Sequence, residues 1–208
     1  MKKNTRKIYV LKIGSSILLT RRNKLDEYRI DQIAQQISYL KRSNIGVALV
    51  ISGAVGCGSK FINLEENDNL LRQEAAGIGQ VLLTSTFHTI FKNHNLQIAQ
   101  ILLTKKNFES ENLSKIILDY LDLGYIPFIN ENDVVDLNSF SGNDFLGGEI
   151  ASLLKIKEFL ILSTTKGSSY GVGGGEAKQQ VIKNLQKVDI KTRLLNGKVK
   201  NILLNTIL

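Results

Sequence analysis

From residue 8 to residue 195, short apolar runs of strand length alternate with longer segments whose apolar residues recur at helical spacing. Residues 8–13, 46–51, 96–103, 125–130, 158–163 and 191–195 read as strands, and the fourth of these holds the only proline, Pro127. Residues 28–42, 69–93, 110–123, 143–157 and 174–188 read as helices. In the first, Ile30, Ile33, Ile37 and Leu40 fall on one face. A strand–helix repeat of this kind predicts an α/β fold with a mainly parallel sheet covered by helices on both sides, a three-layer αβα sandwich. The chain has 208 residues, of which 43% are hydrophobic. That is enough to bury a core without staples, so one domain over residues 1–208 is expected.

Several function classes are disfavoured. Cys57 is the only cysteine, which rules out a disulfide framework and points to a reducing, cytoplasmic compartment. The basic start, Met1 to Lys7, is followed by the apolar run Ile8-Tyr9-Val10-Leu11, which Lys12 interrupts. That run is too short for a signal core or a membrane span, so no membrane association is expected. The net charge of +8 comes from lysines and arginines scattered along the chain, without an RNA-binding aromatic signature. Nucleic acid is therefore not the expected partner.

In a doubly wound sheet, ligands bind beyond the carboxyl ends of the strands. Polar and small residues do gather there. After the first strand comes Lys12-Ile13-Gly14-Ser15-Ser16, either a plain turn with a lysine or a loop that brings backbone and an ammonium to a phosphate. It lacks the Walker spacing. After the second comes Ser52-Gly53-Ala54, suited to close packing against a ligand or a helix start. After the fourth comes Asn130-Glu131-Asn132-Asp133, then Ser141-Gly142-Asn143-Asp144. These amides and carboxylates could hold an amino-acid ammonium, order lysines or cap a helix. Ser163-Thr164 follows the fifth. A glycine-rich stretch, Gly171-Val172-Gly173-Gly174-Gly175-Glu176-Ala177-Lys178, then opens a helix; it suits a polyphosphate or a flexible link. His88, His94 and Cys57 show no metal-ligand or triad spacing, and no protein-held metal is expected.

In this order, the segments resemble the glutamate 5-kinases of the amino-acid kinase family. The resemblance is carried by Val10-Leu11-Lys12-Ile13-Gly14-Ser15-Ser16, Ile51-Ser52-Gly53-Ala54, Glu74-Ala75-Ala76-Gly77-Ile78-Gly79-Gln80, Gln100-Ile101-Leu102-Leu103-Thr104, Pro127-Phe128-Ile129-Asn130-Glu131-Asn132-Asp133 and Asn143-Asp144. It implies the amino-acid kinase fold and phosphoryl transfer from ATP to the side-chain carboxylate of L-glutamate, the first step toward proline. By the matching positions, Lys12 and Lys178 would flank the moving phosphoryl and Asp144 would hold them. Ser52, Gly53, Asp133 and Asn143 would bind glutamate. Lys12, Gly14, Ser163, Thr164, Gly171, Gly173, Gly174 and Lys178 would contact the nucleotide. Mg²⁺ would be carried mainly by the ATP phosphates, and a homo-oligomer, dimer or tetramer, is implied.

The chain departs from that family at four places, one of them the glycine turn, where Gly175, Glu176 and Ala177 precede Lys178 in place of the usual Gly-Gly-Met-x-Thr/Ser-Lys. Ser141-Gly142-Asn143-Asp144 stands where the family usually reads Gly-Asp-Asn-Asp. Ser163-Thr164 stands where it reads Thr-Asp. Tyr170 joins Gly171 directly, where relatives have some tens of residues. No counterpart of the RNA-binding-like domain found at the carboxyl end of many relatives is expected. Thr164 in place of the aspartate and the missing segment after Tyr170 motivate a second reading, a catalytically impaired relative that binds glutamate or nucleotide as a regulatory or partner subunit.

Overall fold

The computed structural model describes residues 6–62, 64, 68–164 and 175–208. Among them, six strands form one all-parallel sheet in the order β3-β4-β2-β1-β5-β6. The strands are β1 (Lys7–Ile13), β2 (Ile45–Ile51), β3 (Ile98–Leu103), β4 (Ile126–Glu131), β5 (Glu158–Ser163) and β6 (Lys191–Asn196). The longer helices are α2 (Glu27–Arg42), α4 (Asn69–Asn93), α6 (Leu113–Asp122), α7 (Asn143–Leu153) and α8 (Gly175–Gln186). Four short ones, α1 (Ser15–Leu18), α3 (Ala54–Gly58), α5 (Lys105–Phe108) and α9 (Ile202–Ile207), lie between or after them.

Every residue of β2 is buried, as a strand covered on both faces requires. Tyr9, Leu11 and Ile13 of β1 enter one core with Ile30, Ile33 and Ile37 of α2, Leu83 and Phe87 of α4 and Leu203 of α9. Val10 enters a second core with Ile117 of α6, Leu146 and Ile150 of α7 and Val181 of α8. The expected three layers follow directly. Because side chains alternate along a strand, Lys12 shares the Val10 face and lies under α7.

Pro127 sits inside β4, between β3 and β2, although proline withdraws a donor from the ladder. The pairing adapts to it. β4 pairs with β3 from Ile98↔Ile126 onward, whereas its register with β2 begins at Leu49↔Phe128, one residue past the ring. The helix expected over 143–157 stops at Leu153 instead. Lys155 takes a positive φ of 50°, and the Ile156 N–H turns back to the Ala151 carbonyl at 3.2 Å. The four short helices carry too few turns to show a period in sequence.

The chain leaves β1 through α2 to reach β2 on one side, and returns from β4 through α7 to β5 on the other. The carboxyl end of β1 is thus a topological switch point, where a crevice opens. Two adjacent glycines let α7 close on it. A methyl added at Gly147 would meet Phe159 Cζ of β5 at 2.7 Å, and one at Gly148 would meet Val181 Cγ1 of α8 at 3.1 Å. Substituting Gly147→Ala is expected to cost about 2 kcal/mol in urea unfolding, a typical overpacking loss. Gly77→Ala, whose added methyl would only touch Val134 Cγ2 at 3.4 Å, is expected to change stability by less than about 1 kcal/mol.

Candidate active site

Asp144 lies in the first turn of α7 and is buried, with 3% of its surface exposed. Its Oδ1 is 2.7 Å from Lys12 Nζ at the end of β1, and its Oδ2 is 3.0 Å from Lys178 Nζ in the first turn of α8. One carboxylate therefore bridges two ammonium groups carried by separate elements. The close approach of α7 to β5 and α8 at Gly147 and Gly148 brings these elements within reach. Burial pushes the Lys12 pKa below its ordinary value; the Asp144 carboxylate opposes the shift and the Lys178 charge adds to it. An anion arriving at this pair would supply the negative charge that its surroundings lack.

Gly14 follows β1 directly. Its N–H is committed to the Leu162 carbonyl at 3.0 Å, so it continues the ladder instead of pointing into the crevice. What Gly14 provides is space: an added methyl would lie 3.3 Å from the Leu162 carbonyl oxygen and 3.7 Å from Lys12 Nζ. Ser163 is buried at the end of β5, and the Thr164 N–H donates to Ser16 Oγ at 3.4 Å. The ends of β1 and β5 are thereby tied together beside the lysines. Gly171, Gly173 and Gly174 lie outside the described residues.

On the other side of β1, Ser52 and Gly53 follow β2, with the Ser52 N–H on the Ile13 carbonyl at 3.2 Å. Gly53 has a φ of 112° at the start of α3. Asp133 follows β4; its Oδ1 accepts the Asn138 N–H at 3.1 Å, and burial raises its pKa. Asn143 opens α7, and its Oδ1 is buried without a hydrogen-bond partner. A buried acceptor left open in this way is suited to a donor on a ligand, such as an ammonium group.

The resemblance assigns no individual role to Glu131, the last residue of β4. It is 3% exposed. Its Oε2 accepts the Phe140 N–H at 3.2 Å, and its Oε1 is buried without a hydrogen-bond partner. Burial and the neighbouring Asp133 push its pKa up from the usual 4.5 to about 7, against the pull of the Phe140 and Gly142 N–H groups. Asn130 beside it donates from Nδ2 to Gln80 Oε1 of α4 at 2.7 Å, which makes the Gln80 amide part of the same wall.

The lysines and arginines that look scattered in sequence partly converge at the opposite, amino ends of the strands. There a hollow of about 660 Å³ is lined by Arg6, Lys7, Lys155, Lys157, Lys191, Arg193 and the acidic Glu158. Arg193 pairs with Glu158, and Arg6 donates to the Leu121 and Ile45 carbonyls, so two of these cations serve the fold. Among the described residues, no group of three His, Cys, Asp or Glu side chains could hold a metal ion. Nor is any described helix long and apolar enough to cross a membrane.

A six-stranded parallel sheet with paired lysines at its switch point defines a class, and comparison with known proteins agrees with it. The amino acid kinase family matches residues 7–200, and the chain belongs to that family. The glutamate 5-kinase of Clostridium acetobutylicum is 36% identical over 179 residues, covering 79% of this chain and 67% of that protein. The one from Methylococcus capsulatus is 38% identical over 166 residues, covering 76% and 44%. That of Bacteroides thetaiotaomicron is 28% identical over 234 residues, covering 94% and 65%. The last alignment runs longer than the chain itself, so that relative carries residues without a counterpart here. This chain spans between 44% and 67% of the length of these three relatives.

Solved structures of UMP kinase from Ureaplasma parvum (TM-score 0.66, 12% identity, 97% of this chain and 95% of that one) and of T. acidophilum isopentenyl phosphate kinase (TM-score 0.65, 13% identity, 92% of each) share the fold.

The Glu131 shift has a definite sign. A carboxyl group whose folded-state pKa is raised contributes stability below its unfolded value, about 4.5, and loses it as pH rises through about 7. Unfolding stability of the unmodified chain is therefore expected to fall between pH 5 and pH 8. Glu131→Gln is expected to remove up to about 3 kcal/mol of that fall, measured as the difference between the two urea curves at each pH.

Proposed function

We propose that this chain transfers the γ-phosphoryl group of ATP to the side-chain carboxylate of L-glutamate, forming glutamyl 5-phosphate at the start of proline synthesis. The observation that carries this reading is the bridging of Lys12 and Lys178 by Asp144 at the switch point. The likeness to glutamate 5-kinases supports the choice of acceptor.

A carboxylate is already a nucleophile at neutral pH, so the reaction needs no general base. A carboxylate oxygen–phosphorus bond forms, the bond from phosphorus to the bridging oxygen breaks, and the electron pair leaves on ADP. The protein's task is to align the two substrates and to balance negative charge as it shifts. Lys12 would meet the phosphoryl from the strand side and Lys178 from the α8 side, while Asp144 keeps both ammonium groups aimed inward. Ser52, Gly53, Asp133 and Asn143 would hold glutamate, with Asn143 Oδ1 offering an open acceptor. Gly14, Ser163 and Thr164 would line the nucleotide side, and the glycine stretch at 171–174 would complete it.

Mg²⁺ fits this site only as a companion of the nucleotide. Both oxygens of Asp144 face ammonium groups, which leaves the phosphates as the metal's ligands. Assembly with further copies of the chain belongs to the same proposal, by likeness to the family.

The test is to incubate the chain with ATP, Mg²⁺, glutamate and hydroxylamine. Glutamyl hydroxamate is expected from the unmodified chain and not from Lys12→Ala. No product above that control at high protein concentration contradicts the proposal. Glutamate binding by calorimetry without product would instead support the binding-only relative suggested by Ser163-Thr164 and the shortened stretch after it. Lys178→Ala is expected to lower kcat by about 10²-fold or more, the usual loss for one charge-stabilising group, while the KM for glutamate moves less than about threefold.

A further inference from the structure

We infer that Glu131 is a positioning residue that clasps the return of the β4–α7 loop and so sets where Asn143 and Asp144 stand. This inference rests on the kinase reading for its substrate, and on the geometry alone for the clasp.

The loop leaves β4 at Glu131 and re-enters regular structure at Asn143. Its final turn is strained. Ser141 has a φ of 64° and Gly142 a φ of 110°, two successive residues in conformations that L side chains avoid. A serine in that position persists only where neighbouring contacts hold it. The hydrogen bond from the Phe140 N–H to Glu131 Oε2, 3.2 Å long, ends one residue before the strained pair. Glu131 thus holds the backbone immediately before Ser141.

The rest of the loop is tethered independently. The Asn132 N–H reaches the Leu103 carbonyl at 2.8 Å, Gln73 of α4 donates to the Val134 carbonyl at 2.9 Å, and the Lys105 N–H reaches Ser139 Oγ at 2.6 Å. None of these touches residues 140–142. The clasp links the end of β4 directly to Phe140, beside a longer route in which Asp133 Oδ1 accepts the Asn138 N–H and the Asn138 carbonyl accepts the Ser141 N–H at 2.8 Å. Its loss would leave the fold standing and let the two halves of the glutamate site drift apart.

The experiment compares Glu131→Ala, Glu131→Gln and the double variant Glu131→Ala/Ser141→Gly, each in the full chain. Glu131→Ala is expected to raise the KM for glutamate about tenfold or more, as displacement of a binding group does, with the KM for ATP changed less than about threefold. Glu131→Gln keeps an acceptor oxygen and is expected to restore most of the loss. Ser141→Gly, which removes the strain that the clasp opposes, is expected to restore part of it. Amide exchange of Phe140 should accelerate in Glu131→Ala and not in Glu131→Gln.

Equal rises in both KM values would overturn the inference, as would a glutamine variant as impaired as the alanine one. Unchanged exchange at Phe140 would do the same. If Glu131→Ala does not fold, Glu131→Asp, which keeps the charge and shortens the reach, is measured in its place with the same expectations. An unmodified chain that makes no hydroxamate overturns the kinase reading alone; exchange at Phe140 still decides the clasp.

Discussion

One carboxylate, Asp144, holds two ammonium groups that would otherwise repel each other in a largely dry crevice. Without it, Lys12 and Lys178 would be two like charges with little water to screen them, and burial already outweighs attraction at Lys12, whose pKa is depressed. Removing one member of such a buried arrangement commonly costs 3–5 kcal/mol, because the remaining charges lose their partner. The net charge of the trio is one positive unit when all three are ionised. That suits the transient capture of a phosphoryl group, since the site attracts the anion without filling its own place.

The trio depends on packing remote from its charges. β1 supplies Lys12 by strand alternation, α7 supplies Asp144 from its first turn, and α8 supplies Lys178 from its own first turn. These meet because α7 presents bare backbone at Gly147 and Gly148 to Phe159 and Val181. The doubly wound topology puts the meeting point at the carboxyl end of β1, where the chain diverges to β2 on one side and β5 on the other. Charge placement, helix approach and strand order are successive consequences of one pattern of apolar and small residues.

Much of this was legible in the sequence. Fully buried strands announce themselves as unbroken apolar runs, and β5 and α4 were read with their observed ends because turn residues bound them sharply. Lys12 stands out in sequence as an ammonium beside a candidate phosphate loop, but its joint role with Asp144 and Lys178 comes only through the resemblance, since no spacing within the chain relates a strand lysine to a helix lysine well over a hundred residues later. Pro127 misleads: its sheet position is interior, and only the offset register with β2 shows how it fits. Glu131 stands among the amides and carboxylates after the fourth strand, and nothing in the sequence singles it out from them. Its significance lies in a hydrogen bond to a backbone group nine residues ahead, and such a return contact has no periodic signature. Gly147 and Gly148 have no sequence signature either, because what they make room for comes from other elements.

The central claim is that Lys12 and Lys178 act as one unit on one phosphoryl group. A double-mutant cycle on kcat for hydroxamate formation tests it most directly, with Lys12→Ala, Lys178→Ala and the pair measured against the unmodified chain at saturating ATP and glutamate. Groups that serve the same transition state are strongly non-additive, so the double variant should be scarcely worse than the more damaging single one. Losses that multiply, the double variant showing the full product of the two single effects, would mean that the lysines act separately and would contradict the account.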